Sequence, residues 1–291
     1  MAAEFVFEAI GTHWQIDVLD ELTPPNQDIL FKLICERIAI FDQHYSRFRT
    51  DSLVSAMAQK AGTYALPPDA EPLLAMYQRL YQLTQGAMTP LIGSVLVDAG
   101  YDAGYSLQPK TLRKPPAWEE VLAGDFKNLV LNQPALLDFG AAGKGYLIDL
   151  VAGILTTHGL TTFCVDAGGD MRYQSDDKKS LRVGLENPVD TNQAIGVATI
   201  TNQSICGSAG NRRAWGEFHH IINPHTLTSP RSILAAWVVA DRTLIADALT
   251  TALFFVPSAT LRQDFNFEYV LMRADHSIEK SPGFPGEFFT A

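Results

Sequence analysis

Asp138-Phe-Gly-Ala-Ala-Gly-Lys-Gly-Tyr146 is a glycine-dense, lysine-bearing turn, and its flanks decide how the chain folds around it. An apolar run, Leu129-Val-Leu131 and then Ala135-Leu-Leu137, leads in and predicts a strand, whereas Leu147, Leu150, Val151, Ile154 and Leu155 continue at helical spacing. Glycines at 140, 143 and 145 let the backbone turn sharply and approach a ligand closely. Free N–H groups at the start of the following helix favour an anion, and Lys144 adds a cation there. The turn is either a phosphate cradle or an ordinary strand-to-helix connection with a solvated lysine. A Walker A loop is excluded, because the positions it needs as its first glycine and its Ser or Thr hold Asp138 and Gly145.

Outward from this turn, strands and helices follow no regular alternation. Downstream, Thr162–Val165 and Met171–Gln174 predict strands around Gly168-Gly169, and Leu181–Leu185, Ile195–Thr201 and Ser232–Ala240 predict more. Thr243–Val256 is helical in pattern. Upstream, Trp14, Ile16 and Val18 alternate with His13, Gln15 and Asp17 across the Thr12–Val18 strand. Past Pro24-Pro25, a helix carries Leu30, Leu33, Ile34, Ile38 and Phe41 on one stripe, and a second covers Pro72 to Gln85 and stops at Gly86. Gly100 to Asp125, rich in Gly, Pro and Tyr, predicts an irregular surface excursion. With no internal repeat or linker, the expectation is α+β: mixed or antiparallel sheets with packed helices in a single domain over residues 1–291.

The composition narrows the function. A formal charge of −10 and a hydrophobic fraction of 47% describe a globular anion that repels nucleic acid and anionic membrane. A polyanionic nucleotide would need local cations or a divalent metal to overcome that field. Cys35, Cys164 and Cys206 stand too far apart for a zinc site or a disulfide framework, which points to a reducing compartment. No stretch is apolar enough to span a bilayer and no signal-like segment opens the chain, so the expected location is the cytoplasm.

Further segments carry candidate chemistry. In Ala246-Asp-Ala-Leu-Thr-Thr-Ala-Leu253, Asp247 and Thr251 stand four apart and stack on one helix face among apolar neighbours. A carboxylate plus a hydroxyl suits a hard cation such as Mg²⁺ completed by phosphate and water; the structural alternative is an Asp favourable to the helix dipole and a Thr bonded to the preceding turn. His219 and His220 face opposite ways if the segment is extended, and His220 leads into the Asn223-Pro224 turn. His220 is a candidate general base or phosphate contact, or else a hydrogen-bonded core histidine. Gly-x-Ser-x-Gly is absent around Ser208, which argues against a serine hydrolase. Phe48, between Arg47 and Arg49, can stack on a ring system or simply anchor its loop.

Together these segments resemble, in order along most of the chain, the ApbE family, the FAD:protein FMN transferases. Ile10-Gly-Thr12 resembles the family's Met-Gly-Thr, and Ser46 to Ser52 its Ser-x-Tyr/Phe-x-x-x-Ser segment. Gly86-Ala-Met-Thr-Pro-Leu-Ile-Gly93 is similar to Gly-Ala-Phe-Asp-Pro-Thr-Val-Gly, and Asp138 to Gly145 to Asp-Leu-Gly-Gly-Ile-Ala-Lys-Gly. Gly168-Gly-Asp170, His220-Ile-Ile-Asn-Pro-His-Thr226 and Ala246 to Leu253 resemble Gly-Gly-Asp, His-Ile-Ile-Asp-Pro-Arg-Thr-Gly and Ala-Asp-Ala-Leu-Ala-Thr-Ala.

The resemblance implies an ApbE-like fold with a ligand cleft between two closely joined lobes. It also implies Mg²⁺-dependent transfer of FMN from FAD to a Thr or Ser hydroxyl of an acceptor flavoprotein, with release of AMP. By position, Ile10, Phe48, Ala87, Met88, Thr89, Asp138, Lys144 and Ile221 would line the FAD site. The Ala141 carbonyl, Asp247 and Thr251 would hold the metal, and His220 would be catalytic. The same centre could instead deliver water and split FAD, or bind FAD without reacting. The chain departs from the pattern at Met88-Thr-Pro-Leu91, which lacks a carboxylate and a hydroxyl of the family's turn, and at Ile10, His225 and Leu227. Many relatives are exported lipoproteins, whereas the first cysteine here is Cys35.

Overall fold

A computed structural model of the protein describes residues 2–125 and 127–289. Its largest element is an eight-stranded sheet. In spatial order the strands are Ala3–Ala9, Thr12–Val18, Phe163–Ala167, Asp170–Gln174, Ser204–Ala209, Ile233–Ala240, Glu268–Arg273 and Ile278–Lys280, each antiparallel to its neighbours. The alternation read in Thr12–Val18 is real: Trp14, Ile16 and Val18 are fully buried.

Helices Pro24–Tyr45, Gly143–Thr157 and Thr243–Ala252 cover one face of this sheet with the main apolar cluster, and Glu71–Leu83 packs on Thr243–Ala252. Leu30, Ile34, Ile38 and Phe41 form the buried stripe of the first, extended to Tyr45, while Leu33 sits at its half-buried margin. A smaller sheet covers the other face, its strands ordered Gly286–Phe288, Ala194–Ile200, Leu181–Glu186. This sandwiching explains the nearly continuous apolar run of Ile233–Ala240. Ala236, Val238 and Ala240 enter the helix-side core, and Ala235, Trp237 and Val239 the sheet-side core. A strand buried on both faces has no reason to alternate.

Two expectations are corrected. The run before Asp138 is a strand only over Asn128–Leu131. Ala135 to Leu137 form no strand; Ala135 donates its N–H to the Met57 carbonyl, and the buried Leu137 supplies the apolarity. Likewise Gly100 to Asp125 is irregular only in its first part. Trp118–Val121 is a short helix, and Leu122–Gly124 joins Asn128–Leu131 and Gly62–Ala65 in a three-stranded sheet. The other elements differ from expectation by a few residues at their ends.

A cleft of about 540 Å³ opens where the helix-side core, the sheet-side core and a third apolar cluster (Leu96, Tyr101, Trp215, Phe218, Ile222) meet. Two-residue turns of adjacent hairpins, Ile10-Gly11 and Gly168-Gly169, have positive φ at both positions, as tight antiparallel hairpins require. Gly168 donates its N–H to the His13 carbonyl, and a Cβ there would come within 2.2 Å of the Thr12 hydroxyl. Only glycine permits that packing.

Candidate functional site

Asp138 organises the glycine turn. Its Oδ1 accepts from the Gly140 N–H at 2.8 Å, and its main-chain N–H donates to the Pro90 carbonyl at 2.7 Å. That last bond ties the turn to Ala87-Met88-Thr89, where Thr89 Oγ1 accepts from the Leu91 N–H and Thr84 Oγ1 from the Met88 N–H. The other carboxylate oxygen pairs with Arg47, whose side chain is 2% exposed. Arg47 also donates to the Tyr101 carbonyl, and its guanidinium lies 4.2 Å over Phe48 and 4.8 Å over Tyr101. A buried guanidinium is tolerable only with such partners. Tyr105 already stacks on Phe48, at 5.4 Å between ring centroids.

Lys144 is placed differently from the solvated or anion-facing lysine of the sequence. Its ammonium pairs with Asp170 and donates to the Ala167 carbonyl at 3.0 Å, pinning the helix start to the Gly168-Gly169 hairpin. Burial opposes its charge, but Asp170 and Asp247 overcome that and hold its pKa above the usual lysine value. Asp170, 2% exposed, also accepts from the Gly207 N–H.

The Thr243–Ala252 helix lies against the start of the Gly143–Thr157 helix at a distance set by Gly145. A Cβ on Gly145 would sit 2.3 Å from the Thr243 carbonyl oxygen and 2.5 Å from Asp247 Cβ. The close approach lets the Gly145 N–H donate to Asp247 Oδ2 at 2.7 Å. Gly145 is in the first turn, where main-chain N–H groups have no helical partner, so Asp247 caps it. The Ala141 carbonyl, just before the helix, accepts no hydrogen bond among the described residues. Asp247 is 5% exposed, and among the described residues no cation reaches it at ion-pair distance. Burial and then Asp170 push its pKa up to about 8, against the lowering pull of Lys144, the Gly145 N–H and Arg213. Tyr77 accepts from the Ala141 N–H, and burial with the charges of Asp138 and Asp247 keeps its hydroxyl protonated. The described residues contain no group of three or more His, Cys, Asp or Glu side chains able to hold a metal. The oxygen donors grouped at this point of the cleft are the Asp247 carboxyl, the Thr251 hydroxyl and the Ala141 carbonyl.

The two histidines do not face opposite ways as an extended segment would have them: the strand ends at His219, and the rings meet edge-on with centroids 6.2 Å apart. Their surroundings nevertheless differ. His219 Nε2 contacts the Pro230 carbonyl at 2.9 Å while Nδ1 accepts from the Ile221 N–H, so this ring is structural. His220 faces the cleft, its main-chain N–H donating to the Arg213 carbonyl and its Nδ1 buried without a partner. Burial, then the charges of Arg213 and His219, lowers its pKa to about 3, so the ring is neutral at physiological pH. His225 contacts the Gln85 carbonyl at 2.9 Å, next to the Gly86 turn.

Phe48, Ala87, Met88, Thr89, Asp138, Ala141, Lys144, His220, Ile221, Asp247 and Thr251 all line the cleft. Ile10 is not among its lining residues: with φ of 48° in its turn, it packs on the main core, and Thr12 lines the cleft nearby. Tyr77, Asp170 and Arg213 also line the cleft and were missed. The aspartate had a signal in Gly168-Gly-Asp170; the other two had none.

The sequence pattern of the ApbE family matches residues 10–267. The chain is similar to the FAD:protein FMN transferase of Treponema pallidum, 26% identical over 81% of this chain and 74% of that protein. It is also 26% identical to the FAD:protein FMN transferase of Rhodobacter capsulatus over 75% of this chain, but spans only 46% of that relative. In three dimensions it resembles the ApbE protein of Thermotoga maritima, with a TM-score of 0.83, 21% identity, and 99% and 100% of the two chains covered. It likewise resembles the flavin transferase ApbE of Vibrio cholerae, with a TM-score of 0.80, 20% identity, and 97% and 96% covered. At these identities the structural likeness speaks to the fold.

Proposed function

This chain belongs to the ApbE family, and from that premise we propose that it is a Mg²⁺-dependent FAD:protein FMN transferase. It moves FMN from FAD to a Thr or Ser hydroxyl of an acceptor flavoprotein and releases AMP. The observation that carries this reading is the buried Asp247 side chain, without a cation at ion-pair distance, next to a glycine turn whose Ala141 carbonyl accepts no hydrogen bond among the described residues. Both line a cleft of about 540 Å³, within the usual range for a small-molecule site.

Asp247, the Thr251 hydroxyl and the Ala141 carbonyl would hold Mg²⁺, being the hard oxygen donors that this ion prefers. When bound, the ion neutralises charge on the diphosphate. The chain's own residues do the rest. Lys144, tied to Asp170, adds positive potential at the turn. Phe48, Asp138, the Ala87-Met88-Thr89 turn and Ile221 bind and orient FAD. The acceptor hydroxyl oxygen attacks the FMN phosphorus, the phosphorus–oxygen bond to AMP breaks, and the hydroxyl proton passes to His220. With Nδ1 enclosed, Nε2 is the nitrogen left to take it. The ring is uncharged at rest and therefore available as a base. Developing negative charge on the phosphates and the nearby Asp138 favour the imidazolium that forms.

The test is incubation with FAD and Mg²⁺, with and without an acceptor protein, followed by a denaturing gel and an AMP assay. A fluorescent acceptor band with stoichiometric AMP is the expected result. AMP and free FMN without a band would make the protein an FAD hydrolase. Bound FAD with neither product would make it a storage protein.

A further inference from the structure

Charge matching across the cleft leaves two residues over. Of its lining carboxylates, Asp138 pairs with Arg47, Asp170 with Lys144 and Glu186 with Arg212. Asp247 has only the Gly145 N–H. Of the lining cations, Lys144 and Arg212 are committed to these pairs, and Arg213 has no side-chain partner among the described residues. A surface arginine without a partner is ordinary. This one lines a cavity and is held beside His220, because the His220 N–H donates to its carbonyl at 3.0 Å. The adjoining hairpin pairs Ala214 with His219 and Trp215 with Phe218, and the Trp215 indole donates to the Ala99 carbonyl at 2.7 Å, fixing the backbone that carries the arginine. Its charge reaches His220, Tyr101 and Asp247.

We propose that Arg213 is the cleft's anion grip: its guanidinium binds the diphosphate bridge of the dinucleotide by charge-assisted hydrogen bonds, on the side away from Asp247, and holds the reacting phosphorus beside His220. This rests on the transferase reading of the same site and adds a residue to it. A guanidinium presents a planar fork of donors that matches phosphate oxygens in pairs, which the ammonium of Lys144, already turned to Asp170, does not. Asp247 is left over for a cation and Arg213 for an anion, and a metal–diphosphate ligand supplies one of each.

The experiment measures dissociation constants of FAD, ADP and riboflavin for the wild-type protein, Arg213→Ala, Arg213→Lys and the neighbouring control Arg212→Ala, with melting temperatures alongside. Loss of hydrogen bonds to a charged group predicts FAD and ADP binding weakened about 10- to 100-fold in Arg213→Ala. Riboflavin, which has no phosphate, should bind unchanged, Lys should restore part of the loss, and Arg212→Ala, whose charge is already paired with Glu186, should weaken FAD and ADP binding far less than Arg213→Ala. In turnover, KM for FAD should rise more than kcat falls. Equal weakening of FAD and riboflavin, or unchanged FAD and ADP affinity in Arg213→Ala, overturns the proposal. If wild type flavinylates an acceptor while Arg213→Ala keeps full affinity, only the grip is lost and the transferase reading stands. If FAD and ADP bind through Arg213 but no acceptor is ever labelled, the grip stands and the transferase reading falls. If wild type binds neither FAD nor ADP, both fall.

Discussion

The two walls of the cleft are built on opposite plans. On one, the Asp138 turn and the starts of two helices interlock: Gly145 lets the helices touch, Asp247 is 5% exposed, and main-chain N–H groups of Gly140, Gly145 and Gly207 hold the carboxyls of Asp138, Asp247 and Asp170. On the other, Arg212 and Arg213 stand exposed on a loop and a short hairpin whose anchors, Trp215 and Phe218, lie in a separate apolar cluster. The closed wall holds a carboxyl group that burial and Asp170 bias towards its protonated form, so a cation that binds there takes the place of a proton. The open wall holds a permanently charged guanidinium in solvent, at little desolvation cost until a ligand covers it. A site that binds a cation and an anion together thus divides the labour: pre-organisation on one side, adaptable charge on the other.

The largest expected effect tests the closed wall's chemistry. Asp247→Ala should lower FMN transfer about a thousandfold, the equivalent of ~4 kcal/mol in the barrier, with the residual rate no longer responsive to Mg²⁺. Turnover within about tenfold of wild type, still titrating with Mg²⁺, would remove Asp247 from the metal site and with it the contrast between the walls.

The next effect tests the closed wall's packing. Gly145→Ala puts a methyl group into the Thr243 carbonyl and should destabilise the fold by about 1–3 kcal/mol. Gly153, in the same helix, has nothing within 4 Å of an added Cβ. Gly153→Ala should therefore stabilise by about 0.5–1 kcal/mol through helix propensity and unfolded-state entropy. Urea denaturation of both variants measures the difference. If the two shift stability in the same direction, the helix contact is looser than the distances imply.

The closed wall was partly legible in the sequence. Asp247 and Thr251 share a helix face by being four apart, whereas the Ala141 carbonyl was reached only through the family resemblance. What was not legible depends on residues distant along the chain. Arg47 meets Asp138 across 91 positions, and nothing around either announces the pair. Lys144 reads as free because its partner, Asp170, belongs to a strand 26 residues on. Gly145 reads as a loop glycine until a second helix is laid against it. Arg213 is invisible for a different reason: one arginine beside another looks like solvated surface, and only the pairing of the cleft's other cations, Lys144 with Asp170 and Arg212 with Glu186, makes it stand out. Ile10 shows the converse, since similarity of position in a motif does not place its side chain in the cleft.

The smallest effect concerns His220, at the junction of the walls, and appears as a pH dependence of stability. Its pKa falls from the ordinary 6.5 to about 3 in the folded protein, through burial first and then the charges of Arg213 and His219. Between those values the unfolded chain holds a proton on this ring and the native protein does not, so protons favour unfolding. The contribution is fully present above about pH 6.5 and is lost as pH falls towards 3. Between pH 7 and pH 5 the native state should lose on the order of 1–2 kcal/mol from this group. The lowered pKa of His219 acts in the same direction and is present in both proteins compared. Melting temperatures of ligand-free wild type and His220→Gln at pH 7, 6 and 5 should therefore diverge, with wild type falling more steeply. Parallel curves would mean that the imidazole is solvated well enough to charge in place, and that the boundary between the enclosed and the open wall lies deeper than His220.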